Sequence, residues 1–139
     1  MSTAFSKEEK AATRAAVAEA KAAKAGDDLE KACLAAIAEM TGTDKELAET
    51  LHDLVGKHTG LAARTWYGMP AYANSDGKVV VFFQSAAKFK ARYATIGFQP
   101  DANLDEGDFW PSSYAVTKLT AADKKRMVAL LTKAVSSGG

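Results

Sequence analysis

Cysteine is almost missing from this chain: Cys33 is the only one among 139 residues. One thiol excludes an intramolecular disulfide and a multi-thiolate zinc site, and it fits a reducing compartment. Histidine is nearly as scarce. His52 and His58 are the two in the chain, and six residues of helix would set them about 120° apart, off any shared ligand face. No GxxxxGK[ST] loop, GxGxxG turn, GxSxG elbow or HExxH pair occurs, which removes the common phosphate, dinucleotide, nucleophile-elbow and zincin devices. No nucleophile and base can be nominated, so the reading leans away from an enzyme without closing that class. Long apolar runs are absent too, so neither a signal peptide nor a membrane span is expected, and the expected location is cytoplasmic. Charge of one sign is not in excess: the formal net charge is +1, which gives no global reason to expect a nucleic-acid partner.

What is present is the composition of a folded domain, 47% hydrophobic and 25% charged, at a length that fits one core. Ser6 and Glu9 open a first helix of Ala, Lys and Glu that should stop at Gly26. Its large apolar residues are Phe5 and Val17, so it reads as a helical N-terminal extension, 1–26, ahead of a domain over 27–136 and a short tail, 137–139. A second helix carries Leu29, Ala32, Cys33, Ala36, Ile37 and Met40 at spacings of three and four before Gly42. Within that stripe Cys33 reads as a buried, inert thiol. Thr43 or Asp44 should cap a third helix with Leu47, Leu51, Leu54 and Val55 on one side.

From residue 63 the character changes to Thr, Trp, Tyr, Val and Phe. Strands are expected near 63–67, 71–74, 78–84, 90–98 and 113–119, with Asp76-Gly77 turning a hairpin between the second and third. Thr120 and Asp123 should cap a last helix whose Met127, Leu130, Leu131 and Ala134 face inward. Helices on either side of hairpin-linked strands predict an α+β fold, an antiparallel sheet of about five strands with helices packed on one face, plus the extra N-terminal helix. Alternation sends Val79, Val81 and Phe83 to one face of the sheet and Val80 and Phe82 to the other, so something should cover part of the second face: the first helix, a second copy of the chain, or a ligand.

Two residue sets point to binding. Trp66, Tyr67, Met69, Tyr93 and Trp110 form an aromatic-rich group, and Gly68 with Pro70 puts a rigid bend beside it, where a pocket wall can form. Residues 27–60 hold eight acidic and three basic side chains, and Glu46, Glu49 and Asp53 fall on the polar side of the third helix, where a cation could be drawn. Ordinary pairs such as Asp53 with Lys57 account for the same pattern. Asp101, Asp105, Glu106 and Asp108 make a second acidic cluster without EF-hand spacing. Lys88, Lys90 and Arg92, alternating with Phe89, Ala91 and Tyr93, would give a strand with one basic face.

Trp66-Tyr67-Gly68-Met69-Pro70-Ala71-Tyr72, Gly77-Lys78 leading into Val81-Phe82-Phe83-Gln84, Lys88-Phe89-Lys90, Tyr93 with Gly97-Phe98, and Leu119-Thr120 resemble the YdhG-like family of small bacterial proteins over roughly residues 44 to 135. The family is grouped in the YjbR/CyaY-like superfamily. The resemblance implies a frataxin-like two-layer sandwich and, by analogy with frataxin-type relatives, weak iron binding through an acidic helix, here Glu46, Glu49 and Asp53. Two functions follow as expectations. The first is a binding module that uses the aromatic sheet face for a protein, a small molecule or a second copy of itself, with no cofactor. The alternative is a frataxin-like iron chaperone.

Overall fold

Apolar residues at helical spacing in the first third of the chain, and at alternating spacing in the middle, build a two-layer structure. The computed structural model describes residues 25–136. Helix α1 covers 25–38 and α2 Gly42–His58; strands β1 Ala62–Trp66, β2 Met69–Ala73, β3 Val79–Gln84, β4 Ala94–Phe98 and β5 Ser113–Val116 follow, and α3 Ala121–Ala134 closes the chain. The five strands form one sheet in sequence order, each neighbouring pair antiparallel. The α+β architecture expected from the pattern is therefore the one found. The expected helix over 6–26 lies outside the described residues. Gly26, expected as its stop, is itself helical at the start of α1. No helix among the described residues is long and apolar enough to cross a membrane.

All three helices pack on the same face of the sheet. Cys33 and Ile37 of α1, Leu47, Leu51 and Val55 of α2, and Met127, Leu131 and Ala134 of α3 share one buried cluster with Tyr72, Val81, Phe83, Ile96 and Val116 of the strands. Register explains the choice of strand residues. Tyr72 pairs with Val81, Val81 with Phe98, Phe83 with Ile96 and Ala94 with Val116, so these side chains stand on one side. The ends of α3 are set locally. Thr120 accepts from the Asp123 backbone N–H while Asp123 accepts from the Thr120 N–H, a complete capping box.

Several local expectations are corrected. A bulge between Tyr72 and Ala73 inserts Val80 as an extra residue, so Val80 enters the helix-side core rather than the opposite face. The chain does not extend over 90–93. Lys90 has φ 51 and the Ala91 N–H donates to the Ala86 carbonyl, closing a turn, so Lys88, Lys90 and Arg92 do not line a strand. Asp44 does not cap α2, whose N-cap is Thr41 without a side-chain bond. The Asp44 carboxylate, buried, instead accepts from the N–H groups of Ala86 and Ala87 at 2.9 and 3.0 Å and pins the loop after β3 to the start of α2.

The two hairpins use different chemistry. Gly77 at φ 78 and the Asn74 side chain, which accepts from the N–H groups of Asp76 and Lys78, make the expected turn between β2 and β3. Between β1 and β2 only Tyr67 and Gly68 separate the paired residues Trp66 and Met69, and both have positive φ, 49 and 76. This is a two-residue turn of the kind that usually takes Asn-Gly. Pro70 pairs with Thr65 but lies beyond the β2–β3 ladder, which starts at Ala71, so its missing N–H costs no sheet bond there.

Candidate binding face

The second face of the sheet carries Arg64, Trp66, Ala71, Phe82, Gln84, Thr95, Gly97 and Ala115 by register. None of them belongs to the helix-packed cluster, and Arg64, Trp66 and Phe82 are half-buried. Trp66 and Phe82 lean together with ring centroids 5.2 Å apart, and Tyr67 meets Trp66 edge-on at 4.8 Å. Phe82 pairs across the ladder with Gly97, and its ring lies on that glycine so closely that a Cβ would overlap it. The result is a shelf of three rings running from the β1–β2 turn across the sheet to β4. Tyr67, at its outer end, is 81% exposed.

Cations surround this shelf. Arg64 and Lys78 line a shallow groove of about 450 Å³ together with Trp66, Val79, Gln99, Pro100 and Asp101. Lys88 reaches back from the pinned loop until its amine lies beside Gly68. The Asn74 amide donates to Asp101 at 3.3 Å, so the one carboxylate in the groove is engaged by the neighbouring hairpin.

The five aromatic-set residues nominated from the sequence do not converge. Trp66 and Tyr67 belong to the shelf, and Met69, the register partner of Trp66, stands on the same face but is buried; the other two lie elsewhere. Tyr93 stands just before β4 under the Arg92 guanidinium, 5.3 Å from its ring centroid, and lines a different cavity with Asp44 and Leu47. Trp110 lies past the opposite end of β4, in a third cavity with Phe98 and Leu104. Phe82 completes the shelf instead. Its alternation in β3 marked it as facing away from the core, but nothing local in the sequence pairs it with Trp66.

Glu46, Glu49 and Asp53 are exposed on α2, and Asp53 pairs with Lys57 at 3.1 Å. Among the described residues no group of three or more His, Cys, Asp or Glu side chains is placed to hold a metal ion. His52 is used otherwise. Its Nδ1 lies 3.0 Å from the Tyr72 hydroxyl, and the Cys33 thiol lies 4.0 Å from that same hydroxyl. Burial pushes the Cys33 thiol up, with the Tyr72 contact opposing, and burial likewise pushes the Tyr72 phenol up. Both stay protonated at neutral pH, so this chain of groups joins α1, β2 and α2 without supplying a thiolate nucleophile.

Comparison with protein families finds a match to the family described as CbbQ/NirQ/NorQ C-terminal over residues 3–58. The match spans less than half of the chain and ends with α2, before the first strand. It overturns the YdhG-like and frataxin-like resemblance, which rested on residues 44 to 135 and finds no family support. The iron reading loses its family ground with it. No curated protein matches the chain, and no solved structure does.

Proposed function

We propose that this chain is a non-enzymatic binding module whose working surface is the sheet face that no described helix covers, taking a protein or a small aromatic partner on the Tyr67–Trp66–Phe82 shelf. The observation that carries the reading is Tyr67. It occupies a left-handed turn position that Asn or Gly would fill without strain, at a cost of about 1 kcal/mol, and it points its ring into solvent at 81% exposure. A bulky aromatic in a turn position that favours Asn or Gly, packed edge-on against Trp66 alone, is a side chain open to contact with something else. Trp66 and Phe82 supply a flat apolar floor beside it, and Arg64, Lys78 and Lys88 supply cations for an anionic group.

The test uses indole-3-acetate and benzoate as probes in an NMR titration of isotope-labelled protein. Shifts should concentrate at Trp66, Phe82 and Gly97 and disappear in Trp66→Ala. Shifts confined to α2 and α3, or none from either probe at millimolar concentration, would refute this assignment of the surface.

A further inference from the structure

The sheet face that no described helix covers is edged by cations, and the same chain displays an element of opposite charge and similar apolar character. Arg64 and Lys78 line its groove and Lys88 reaches the β1–β2 turn, while the Asp101 carboxylate in the same groove is taken up by the Asn74 amide. Residues 101–108 carry four acidic residues and no basic one, and Phe109 and Trp110 follow at once. Ala102 and Leu104 anchor this loop in the core and Glu106 pairs with Lys133, while its tip stands clear. Asp105 and Asp108 are exposed, Gly107 turns the backbone at φ 62, and Phe109 is 90% exposed, the most exposed large apolar side chain among the described residues.

In its own chain the loop is not folded onto the shelf. Trp110 lines a cavity with Phe98 and Leu104, apart from the groove of Arg64 and Lys78. The two hollows nevertheless share Gln99 and Pro100, so acidic loop and basic groove are neighbours on the surface. A twofold axis passing between neighbouring complementary patches lets each copy give its loop and receive the other's, closing both contacts at once.

From this complementarity we infer that the occupant of the shelf is a second copy of this chain: Asp105 and Asp108 of one copy face Arg64 and Lys78 of the other, and Phe109 stacks on Trp66 and Tyr67. The inference rests on the proposed role of the face as a binding surface and names its partner. Charge complementarity sets the register of such a contact, while the buried aromatic rings supply most of its affinity.

Sedimentation of the full chain tests it. At about 100 μM, where a modest interface is populated, the wild type should show twice the monomer mass, and high salt should shift it toward monomer. A loop-reversed variant, Asp105→Lys with Asp108→Lys, and a face-reversed variant, Arg64→Glu with Lys78→Glu, should each be monomeric with unchanged circular dichroism. Mixed one to one, they should form a heterodimer, because the basic loop of the first then meets the acidic face of the second in one contact, and the acidic loop of the second meets the basic face of the first in the other. A monomeric wild type, variants that associate as the wild type does, or a mixture that stays monomeric overturns the inference. A labelled single-stranded oligonucleotide is added to the wild type as a further arm. Strong binding by a monomer would assign the face to nucleic acid and overturn the self-association. The benzoate and indole-3-acetate titration reads the face independently, so a monomer that still shifts at Trp66 and Phe82 loses this partner and keeps its binding surface.

Discussion

The two faces of the sheet hold aromatic side chains of the same kind on adjacent residues, and they treat them in opposite ways. Phe83 points to the helices and is fully buried, next to Ile96 and under the side chains of α1 to α3. Phe82, one residue earlier, points to the other side, rests on Gly97 and stays half-exposed against Trp66. A strand with apolar residues on both sides usually lies between two covering layers. Here only one layer is built from the described residues, and the second face is left with rings, cations and a groove. The helix-covered face holds the fold; the face that no described helix covers is the one we propose for contact.

That contrast sets the order of expected effects. Phe83→Ala should cost about 3–5 kcal/mol in urea unfolding, the range for emptying a buried aromatic site. Phe82→Ala should cost clearly less, and equal costs would dissolve the distinction between the faces. Asp44→Ala removes the acceptor for two backbone N–H groups, a loss of about 2–3 kcal/mol, and hydrogen exchange should speed up at Ala86 and Ala87 first. Gly97→Ala forces the Phe82 ring off the sheet, at about 1–2 kcal/mol. In a Phe82→Ala background that cost should vanish, which a double-mutant cycle reads directly.

Smaller effects belong to the periphery. Thr120→Ala should cost about 1 kcal/mol by removing the α3 cap. The hydrogen bonds from the Thr120 backbone and side chain hold the Asp123 carboxyl below the usual carboxylate value. A depressed folded-state value means this contribution is present above the unfolded carboxylate pKa and is lost as pH falls through the folded one, so the cost of Thr120→Ala should shrink in acid. Tyr67→Asn should reverse the sign, stabilising the chain by about 0.5–1 kcal/mol through relief of the left-handed position, while weakening contact at the shelf. If Tyr67→Asn destabilises instead, the ring serves the fold rather than a partner.

Much of this architecture was legible because it rests on local rules. The stripes of α2 and α3 follow helical spacing, and that of α1 does so from Cys33 onward while Leu29 and Ala32 stay exposed. Thr120 and Asp123 form the capping box their spacing describes, and Asp76-Gly77 turns its hairpin. The misses are tertiary. Tyr67-Gly68 lacks the Asn-Gly signature of a two-residue turn, and the bulge that moves Val80 into the core depends on pairing with Ala73 rather than on composition. Lys88 to Arg92 alternate like a strand, yet Asp44, more than forty residues away in sequence, holds the preceding backbone in a loop. The aromatic set was recognised as a set, but only register shows that Trp66 meets Phe82 while Tyr93 and Trp110 lie at opposite ends of β4. The YdhG-like resemblance misled for a related reason: short aromatic and glycine pieces in order describe how hairpins are built more than which family builds them.

The central claim is that the Trp66–Phe82 face, which no described helix covers, is the surface left for contact in the single chain. Broadening by a neutral soluble paramagnetic agent, followed by NMR on the full chain diluted below self-association, tests it most directly. Side-chain signals of Trp66, Tyr67 and Phe82 should broaden strongly, while those of Tyr72, Phe83 and Ile96 remain sharp. Protection of Trp66 and Phe82 equal to that of Phe83 would mean the face is already covered within one chain, and the binding surface described here would not exist.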